Sequence, residues 1–231
     1  MTGTGRQARM SRPPGGHVPG DTPATLRRAL GTFLRHPSPR VLLAAVLVAV
    51  PLRLAAGGWS PGDALVAALI LAAWPVQEWL IHVHILHWHP RRLLGRRMDP
   101  AVSRDHRRHH ADPWRLDLVF IPMHTYAWTL PLVVGLWWLV MPTLPLTLTA
   151  LGTYFLLALH YEWTHYLAHI RYCPPLRYYR RRVRQHRLHH FRHERLWWGV
   201  SMGGGDRLFR TAPHPAGVEP SPTRFEPGLK G

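Results

Sequence analysis

The chain has 231 residues, of which 29 are basic and 12 acidic, so its formal net charge is +17. This length leaves room for one domain, and the excess of arginine predicts an anionic partner, either nucleic acid or lipid headgroups. A single cysteine, Cys173, excludes an internal disulfide and a cluster of thiolate metal ligands.

Both ends of the chain have the composition of disordered segments. Residues 1–40 are rich in Pro, Gly and Arg without a sustained apolar period, which predicts a disordered basic arm. This arm does not resemble a signal peptide, since about forty polar residues precede the first apolar run. Residues 212–231 are Pro-rich and are also predicted to be disordered.

The apolar segments between the two ends predict an all-α protein that crosses the membrane several times. The first segment is Val41–Ala56, which Pro51 and Arg53 interrupt, so it is the weakest of the candidate spans. The second is Ala64–Ile81, which includes Glu78 close to its end.

A third and a fourth span share one stretch, Leu118–Leu159, which contains 42 residues and no charged side chain. As one helix it would be about 63 Å long, roughly twice the thickness of a bilayer core. It must therefore fold back on itself, and Pro142 and Pro145 indicate the turn. A soluble bundle with a buried hairpin is the alternative, but uncharged runs of this length are rare in soluble cores.

The arginines predict how these four spans are oriented. They are concentrated in the N-terminal arm, in Arg91–Arg115 and in Arg171–Arg210, whereas Gly57–Asp63 and Pro142–Pro145 contain none. The positive-inside rule then places both termini and both arginine-rich segments on the cytoplasmic side. Apolar spans between basic segments also favour lipid over nucleic acid as the anionic partner.

Histidine is the most informative residue type, with 18 in the chain. Most lie in four clusters next to predicted span ends or in the basic segments: His82-Val-His84-Ile-Leu-His87-Trp-His89, His106-Arg-Arg-His109-His110, His165-Tyr-Leu-Ala-His169 and His186-Arg-Leu-His189-His190. Eight histidines are interpreted as solvated, capping or supporting residues: His17, His36, His84, His89, His124, His160, His193 and His214.

The spacing within the clusters predicts a metal centre. Positions i, i+3 and i+4 share one face of a helix, so each His-x-x-His-His box can direct three imidazoles to one point. Imidazole suits Fe, Zn, Cu or Ni, and the number of nitrogens exceeds what one ion can bind, which indicates two adjacent metals. A single such box could simply bind phosphate or face water, but two boxes joined by a His-x-x-x-His pair are hard to explain by composition.

Two carboxylates lie where a charge is costly and share helix faces with histidines: Glu78, near the end of the second predicted span, and Glu162, just after the fourth. Each could accept the far ring N–H of a ligand and so orient it. The alternative is a carboxylate at a helix end that reaches water or an arginine.

The order of these motifs resembles the fatty acid hydroxylase/sterol desaturase superfamily. Its first motif is Glu78-Trp-Leu-Ile-His82, followed after four residues by His87, and the resemblance covers roughly residues 74–211. It includes His106-x-x-His109-His110-Ala-Asp-Pro113 and the closing segments Trp198-Gly-Val-Ser201 and Asp206-Arg-Leu-Phe209-Arg-Thr211. Two departures are Ile170, where the family usually has a further histidine, and the three glycines at 203–205.

The resemblance implies a stalk of about four transmembrane helices with a cytoplasmic helical cap that holds a dimetal centre. Residues 41–211 are predicted to form this membrane-embedded oxidase domain. It also implies ten ligands: His82, His87, His106, His109, His110, His165, His169, His186, His189 and His190. Spacing alone would pair His84 with His87, because an i, i+5 pair points in directions about 140° apart on an α-helix.

The chemistry implied by this resemblance is the oxidation of the hydrocarbon part of a lipid by O2 at two irons, with zinc able to replace iron in purified samples. The lipid is a fatty acyl chain, a sterol or a carotenoid-like molecule, and hydroxylation and desaturation both remain open. The chain has no Gly-rich nucleotide motif and is too short for its own electron-transfer domain, which predicts an external ferredoxin- or cytochrome-type donor. The alternative from another class is a membrane metal-handling protein, with ligands along a path near mid-membrane.

Overall fold

Helices make up most of the residues 20–225 that the computed structural model describes. They are connected by short turns and, between the third and fourth helices, by one two-stranded hairpin. In chain order the elements are α1 Leu26–Arg35, α2 Pro37–Ala56, α3 Pro61–Ile81, a π-helical turn His82–Leu86, β1 Arg91–Leu93, β2 Arg96–Met98, α4 Ala101–Ala111, a 3-10 turn Leu116–Leu118, α5 Met123–Val140, α6 Leu144–Ala168, α7 Arg177–Phe191, α8 Gly204–Leu208 and a 3-10 turn Pro215–Gly217.

Four segments are long and apolar enough to cross a membrane, which confirms the predicted number of spans. They are Pro37–Ala56, Pro61–Leu86, Leu116–Val140 and Leu144–Ala168. The last two are separated at Met141–Thr143, next to the prolines that indicated the turn. Many of their large apolar side chains are exposed, among them Leu47, Leu69 and Leu139, as expected of a surface that faces lipid.

The first span is continuous, so the interruption predicted at Pro51 and Arg53 is wrong. Helix α2 continues through Pro51 to Ala56, and Arg53 is buried rather than at a helix break. The guanidinium of Arg53 donates to Asp63 near the start of α3 at 2.8 Å and to Thr149 of α6 at 2.8 Å. A paired arginine is tolerated inside an apolar helix because its charge and its N–H groups have partners.

Helix α6 is the centre of the bundle. Helices α2, α3, α5 and α7 all contact it. Leu42, Val46 and Ala49 of α2 form one apolar cluster with Leu151 and Phe155 of α6. Close to its C-terminal end α6 also meets α7, and α8 packs against α3. The polar helices α7 and α8 therefore lie at one end of the bundle, where the histidines of α3 and α6 are found.

Helix α1 lies within the predicted disordered arm, and for Leu26–Arg35 the prediction of disorder is wrong. Thr25 accepts a hydrogen bond from the Arg28 N–H at 3.4 Å as an N-cap. Ala29 and Phe33 are buried, and the Phe33 ring packs on Phe120 and Trp163. The short apolar stripe in this segment buries enough surface to hold a helix that the Arg- and Pro-rich composition conceals. Residues 1–19 lie outside the described residues.

The C-terminal tail is also ordered as far as Phe225, contrary to the prediction for residues 212–231. The Ser221 N–H donates to the carbonyl of Arg192 at 2.7 Å, and Arg192 Nε donates to the carbonyl of Val218 at 2.6 Å. These bonds tie the Pro-rich segment to the C-terminal end of α7, so a regular apolar period is not needed for order here. Residues 226–231 lie outside the described residues.

Candidate metal centre

A π-helical turn brings His82 and His87 to the same point. The His87 N–H donates to the carbonyl of His82 at 3.0 Å, which is an i to i+5 bond. Both imidazoles are buried and their ring centroids are 5.1 Å apart, whereas His84 is exposed. The wider turn therefore explains how an i, i+5 pair converges, and the pairing of His84 with His87 suggested by α-helical spacing is wrong.

Helices α4 and α7 each contribute the three histidines of a His-x-x-His-His box. His106, His109 and His110 are buried on the inner face of α4, and His186, His189 and His190 are buried on the inner face of α7. The arginines between them occupy other positions of the helical turn and have their own partners. Arg107 donates to Asp99 and to the Trp88 carbonyl, and Arg187 donates to the carbonyls of Ala168 and Ile170. The i, i+3, i+4 pattern thus works as the sequence predicts.

All ten histidines named from the sequence lie together, in two groups of five. Within each group the possible ligand atoms lie within 4.8 Å of one another. Group one contains His82, His87, His106, His110 and His189, and group two contains His109, His165, His169, His186 and His190. The groups adjoin, since the ring of His110 stacks on that of His190 with centroids 4.1 Å apart.

The Nε2 atoms point inward and lie close to one another. In group one the Nε2 atoms of His82 and His106 are 3.2 Å apart, and His189 Nε2 is 3.2 Å from Nε2 of both His87 and His110. In group two His186 Nε2 is 3.1 Å from His169 Nε2 and 3.0 Å from His190 Nε2. Two imidazole nitrogens bound to one metal ion are separated by roughly 3.0–3.4 Å, given metal–nitrogen bonds of about 2.0–2.1 Å. The spacing of the nitrogens therefore fits a metal ion in each group.

Backbone carbonyls hold the other ring nitrogen of three group-one histidines. His82 Nδ1 is 2.7 Å from the carbonyl oxygen of Trp198, and His189 Nδ1 is 2.8 Å from that of Leu196. His110 Nδ1 is 3.2 Å from the carbonyl oxygen of Arg224. A carbonyl oxygen can only accept a hydrogen bond, so Nδ1 of each ring must carry the proton. The lone pair on Nε2 is then free to bind a metal.

Burial also keeps these imidazoles neutral. It is the main cause that lowers the pKa of the ligand candidates outside the membrane spans, and neighbouring imidazoles lower it further. The pKa of His110 is lowered to about 3. At neutral pH the rings are therefore uncharged, which is the form that binds a metal.

The two buried carboxylates do not contact the histidines in the way the sequence suggested. Glu78 accepts hydrogen bonds from the backbone N–H groups of Val200, Ser201 and Met202, and from the Ser201 hydroxyl at 2.6 Å. Glu162 accepts from the Ser38 hydroxyl and from the Ile121 N–H. Glu78 therefore acts indirectly, because it anchors the segment whose Trp198 carbonyl orients His82.

Asp206 closes the segment after α7 on itself, and two glycines let this segment pack against α3. Asp206 accepts from the N–H groups of Trp198 and Gly199 at 2.9 and 2.8 Å. A Cβ on Gly205 would lie 2.5 Å from the Pro75 carbonyl oxygen and from Trp79 Cβ. Gly204 and Gly205, two of the three glycines that depart from the family pattern, thus let this segment pack closely on the second span, whereas Gly203 lies against Arg182 of α7.

An apolar cavity leads from the middle of the bundle to the histidines. Its volume is about 250 Å³, and three of the ten histidines, His106, His109 and His165, line its inner end. Most of its other lining residues are apolar or aromatic: they include Leu42, Trp74, Ile81, Leu118, Phe120, Trp128, Val133, Tyr154 and Phe155. The cavity can accept a hydrocarbon of modest width and bring it to both histidine groups.

The sequence does not reveal the three backbone carbonyls that contact the histidines, or the role of the C-terminal tail that carries one of them. Backbone carbonyls leave no signal in residue identity, so Leu196, Trp198 and Arg224 could not be named from the sequence.

The histidines interpreted as peripheral, where the structure describes them, lie outside both groups: His36 stacks on Phe120, and His160 contacts Tyr178. His17 lies outside the described residues.

Comparisons with known proteins identify a family and a similar fold. A family model described as fatty acid hydroxylase matches residues 67–211. Among solved structures, the hydroxylase domain of full-length Scs7p is similar in fold, with a TM-score of 0.55 and 17% sequence identity, over 87% of this chain and 71% of that chain. Comparison with curated proteins gives no match.

Proposed function

From the premise that the chain belongs to the fatty acid hydroxylase family, we propose that it is an O2-dependent di-iron enzyme that hydroxylates the hydrocarbon part of a lipid. The observation that carries this proposal is the pair of adjacent five-histidine groups at the inner end of an apolar cavity. A site of this kind can hold two metals beside a C–H bond that has no polar group of its own.

Each histidine group would hold one iron. His82, His87, His106, His110 and His189 are the ligands of one, and His109, His165, His169, His186 and His190 are the ligands of the other. With O2, two electrons and two protons, a di-iron centre supplies the chemistry that converts R–H into R–OH and releases one water.

The residues of the chain bind and align the substrate. The apolar walls of the cavity favour a hydrocarbon and exclude water from the reacting position. Gln77 Nε2 donates to the Tyr154 hydroxyl at 2.9 Å where both side chains line the cavity, so these two polar groups are partners of each other. A substrate with its head at the membrane surface can therefore lay its chain toward His106 and His109.

Residues 41–211 form the catalytic domain in this proposal, with the histidine end on the cytoplasmic side. The arginine-rich segments Arg91–Arg115 and Arg171–Arg210 lie on the same side as the histidines, as the positive-inside rule requires of a cytoplasmic face. The two electrons come from a separate ferredoxin- or cytochrome-type protein.

Desaturation is the second candidate at this same site. Removal of a second hydrogen in place of oxygen transfer gives an alkene and two waters from the same O2, electrons and protons. Both reactions need the same ligands and cavity. A metal-handling role is less favoured, because the ten histidines form one centre at one end of the bundle rather than a path along it.

Mass spectrometry of total lipids tests the proposal. Hosts supplied with iron and a donor would express the unchanged chain, the double variant His109→Ala/His110→Ala, or His84→Ala as a control outside both groups. We expect one lipid class to gain one oxygen with the unchanged chain and with His84→Ala only.

The other outcomes separate the alternatives. Loss of two hydrogens in place of a gain of oxygen identifies a desaturase. An unchanged lipid profile, for folded and iron-loaded protein across hosts with acyl lipids, sterols and carotenoids, contradicts the proposal and favours metal handling.

A further inference from the structure

The C-terminal tail follows the family match and folds back onto the metal centre. The match ends at residue 211, and residues 212–225 continue along the end of α7. Two backbone-directed bonds, from Ser221 N–H to Arg192 and from Arg192 Nε to Val218, fix the direction of this segment. The segment that reaches the centre here therefore lies in a part of the sequence that the family model does not match.

A buried glutamate after α7 holds the tail in place. The Thr223 hydroxyl donates to Glu194 Oε1 at 2.7 Å, and Glu194 and Ser221 are both buried. Thr223 N–H also donates to the Ser221 hydroxyl, and Arg224 Nη1 donates to the Ser221 carbonyl at 2.6 Å. These contacts close a tight turn that fixes the peptide after Thr223.

That turn directs the Arg224 carbonyl at His110. The carbonyl oxygen lies 3.2 Å from His110 Nδ1, and the His110 side chain is completely buried. On the other side of the ring, His110 Nε2 faces His189 Nε2 inside group one. A hydrogen bond at Nδ1 sets both the tautomer and the angle at which Nε2 meets a metal.

Among residues 20–225, backbone carbonyls that follow α7 accept hydrogen bonds from histidines of group one. Its carbonyl partners belong to Leu196, Trp198 and Arg224. In group two, the Nδ1 atoms of His109, His186 and His190 have no hydrogen-bond partner among the same residues. The backbone carbonyls that face His165 and His169 belong to Val119 and Pro113, which precede α6.

We propose that Ser221–Phe225 is a positioning element of the metal centre, which orients His110 and thereby sets the metal affinity of group one alone. This inference rests on the proposed function, because it takes both histidine groups to be metal sites. Removal of such an outer partner typically weakens metal binding by about 10- to 100-fold.

Two truncations test the proposal through metal binding. A chain that ends at Phe225 keeps the Arg224 carbonyl, whereas one that ends at Pro213 loses it but keeps the Pro213 carbonyl that accepts from Trp197 Nε1. Each protein would be purified in detergent, loaded with Co²⁺ and titrated with a chelator, with metal per chain and the cobalt absorption bands as readouts. We expect two metals of unchanged affinity for the chain that ends at Phe225. For the chain that ends at Pro213 we expect one of the two to bind about 10- to 100-fold more weakly, with altered bands.

A point variant keeps the proposal testable if the shorter chain does not fold. Thr223→Val in the full chain removes only the hydroxyl that binds Glu194, and Glu219→Ala, at an exposed position of the same segment, is the matched control. We expect faster loss of one metal from Thr223→Val and no change in Glu219→Ala.

Two results would overturn the proposal, and they are distinguishable. If the full chain binds two metals and both truncations and Thr223→Val bind them equally well, the tail has no positioning role while the proposed centre stands. If the full chain binds no metal at all, the proposed function fails, and this inference fails with it.

Discussion

At the scale of single residues, the π-helical turn decides which histidines reach the centre. His82 and His87 are buried in group one, while His84, between them in sequence, is exposed. We therefore expect His82→Ala to lower product formation more than the roughly 10- to 100-fold that loss of an outer partner costs. His84→Ala should leave product formation within about twofold, because its exposed ring meets the edge of Trp79 and lies outside both histidine groups.

Product formation and iron per chain, measured together, check this expectation. His82→Ala should lose both, whereas His84→Ala should lose neither. The reverse order of effects would show that the helix is regular at this point and that His84 is the ligand.

The carboxylates show what residue spacing can and cannot predict. Glu78 and Glu162 share helix faces with His82 and His165, which made contacts between them plausible. In the structure, the partners of Glu78 are Val200, Ser201 and Met202, more than 120 positions away. Spacing predicts neighbours on one helix, but it carries no information about a loop that returns from a distant part of the chain.

At the scale of helices, the buried pair Arg53–Asp63 joins the first two spans. The two side chains are only 4% and 6% exposed, and Thr149 of α6 donates to the same Asp63 oxygen that Arg53 binds. Removal of one partner leaves the other charge unpaired in an apolar region, which typically costs about 3–5 kcal/mol. We therefore expect Arg53→Met to unfold at a clearly lower denaturant concentration than the unchanged chain.

The double variant Arg53→Met/Asp63→Asn is the matched control for this prediction. Its side-chain amide would carry no charge, and the amide oxygen could still accept the Ser60 N–H bond that caps α3. We expect the double variant to recover most of the stability that the single variant loses, as measured by unfolding in detergent. If the double variant is less stable than Arg53→Met, the pair acts through packing rather than through charge.

Some of the helices can be predicted from the sequence and others cannot. The four spans are predictable because long runs without charged residues are rare in soluble proteins. Pro142 and Pro145 indicate the turn between two of them. Helix α1 is concealed because only Ala29 and Phe33 are buried on a segment otherwise rich in arginine. Its order depends on Phe120 and Trp163, which are distant in sequence.

At the scale of the whole molecule, the ten histidines are placed by four separate parts of the chain. The end of α3, helix α4, the end of α6 and helix α7 each contribute two or three. Their identities follow from motif order and helical spacing, so the membership of the site is predictable. Their division into two groups is not, because each His-x-x-His-His box supplies histidines to both groups.

This concentration of buried imidazoles predicts how the metal-free protein responds to acid. Burial lowers the pKa of His87, His106 and His109, and that of His110 to about 3, against an unfolded value of about 6.5. Below pH 6.5 the unfolded chain therefore takes up protons that the folded chain does not. The stability associated with these groups is complete above that pH and is lost as the pH falls from about 6.5 toward 3.

Because several groups act together, the slope should exceed the roughly 1.4 kcal/mol per pH unit that one such histidine gives. Unfolding in detergent between pH 7.5 and 5.5 measures the effect in a range where solvent-exposed carboxylates stay ionised. Metal-loaded protein should lose its metal over the same interval, because protons and metal compete for Nε2. A stability that stays constant across this range would mean that the histidines are hydrated, and the dry, neutral centre described above would be wrong.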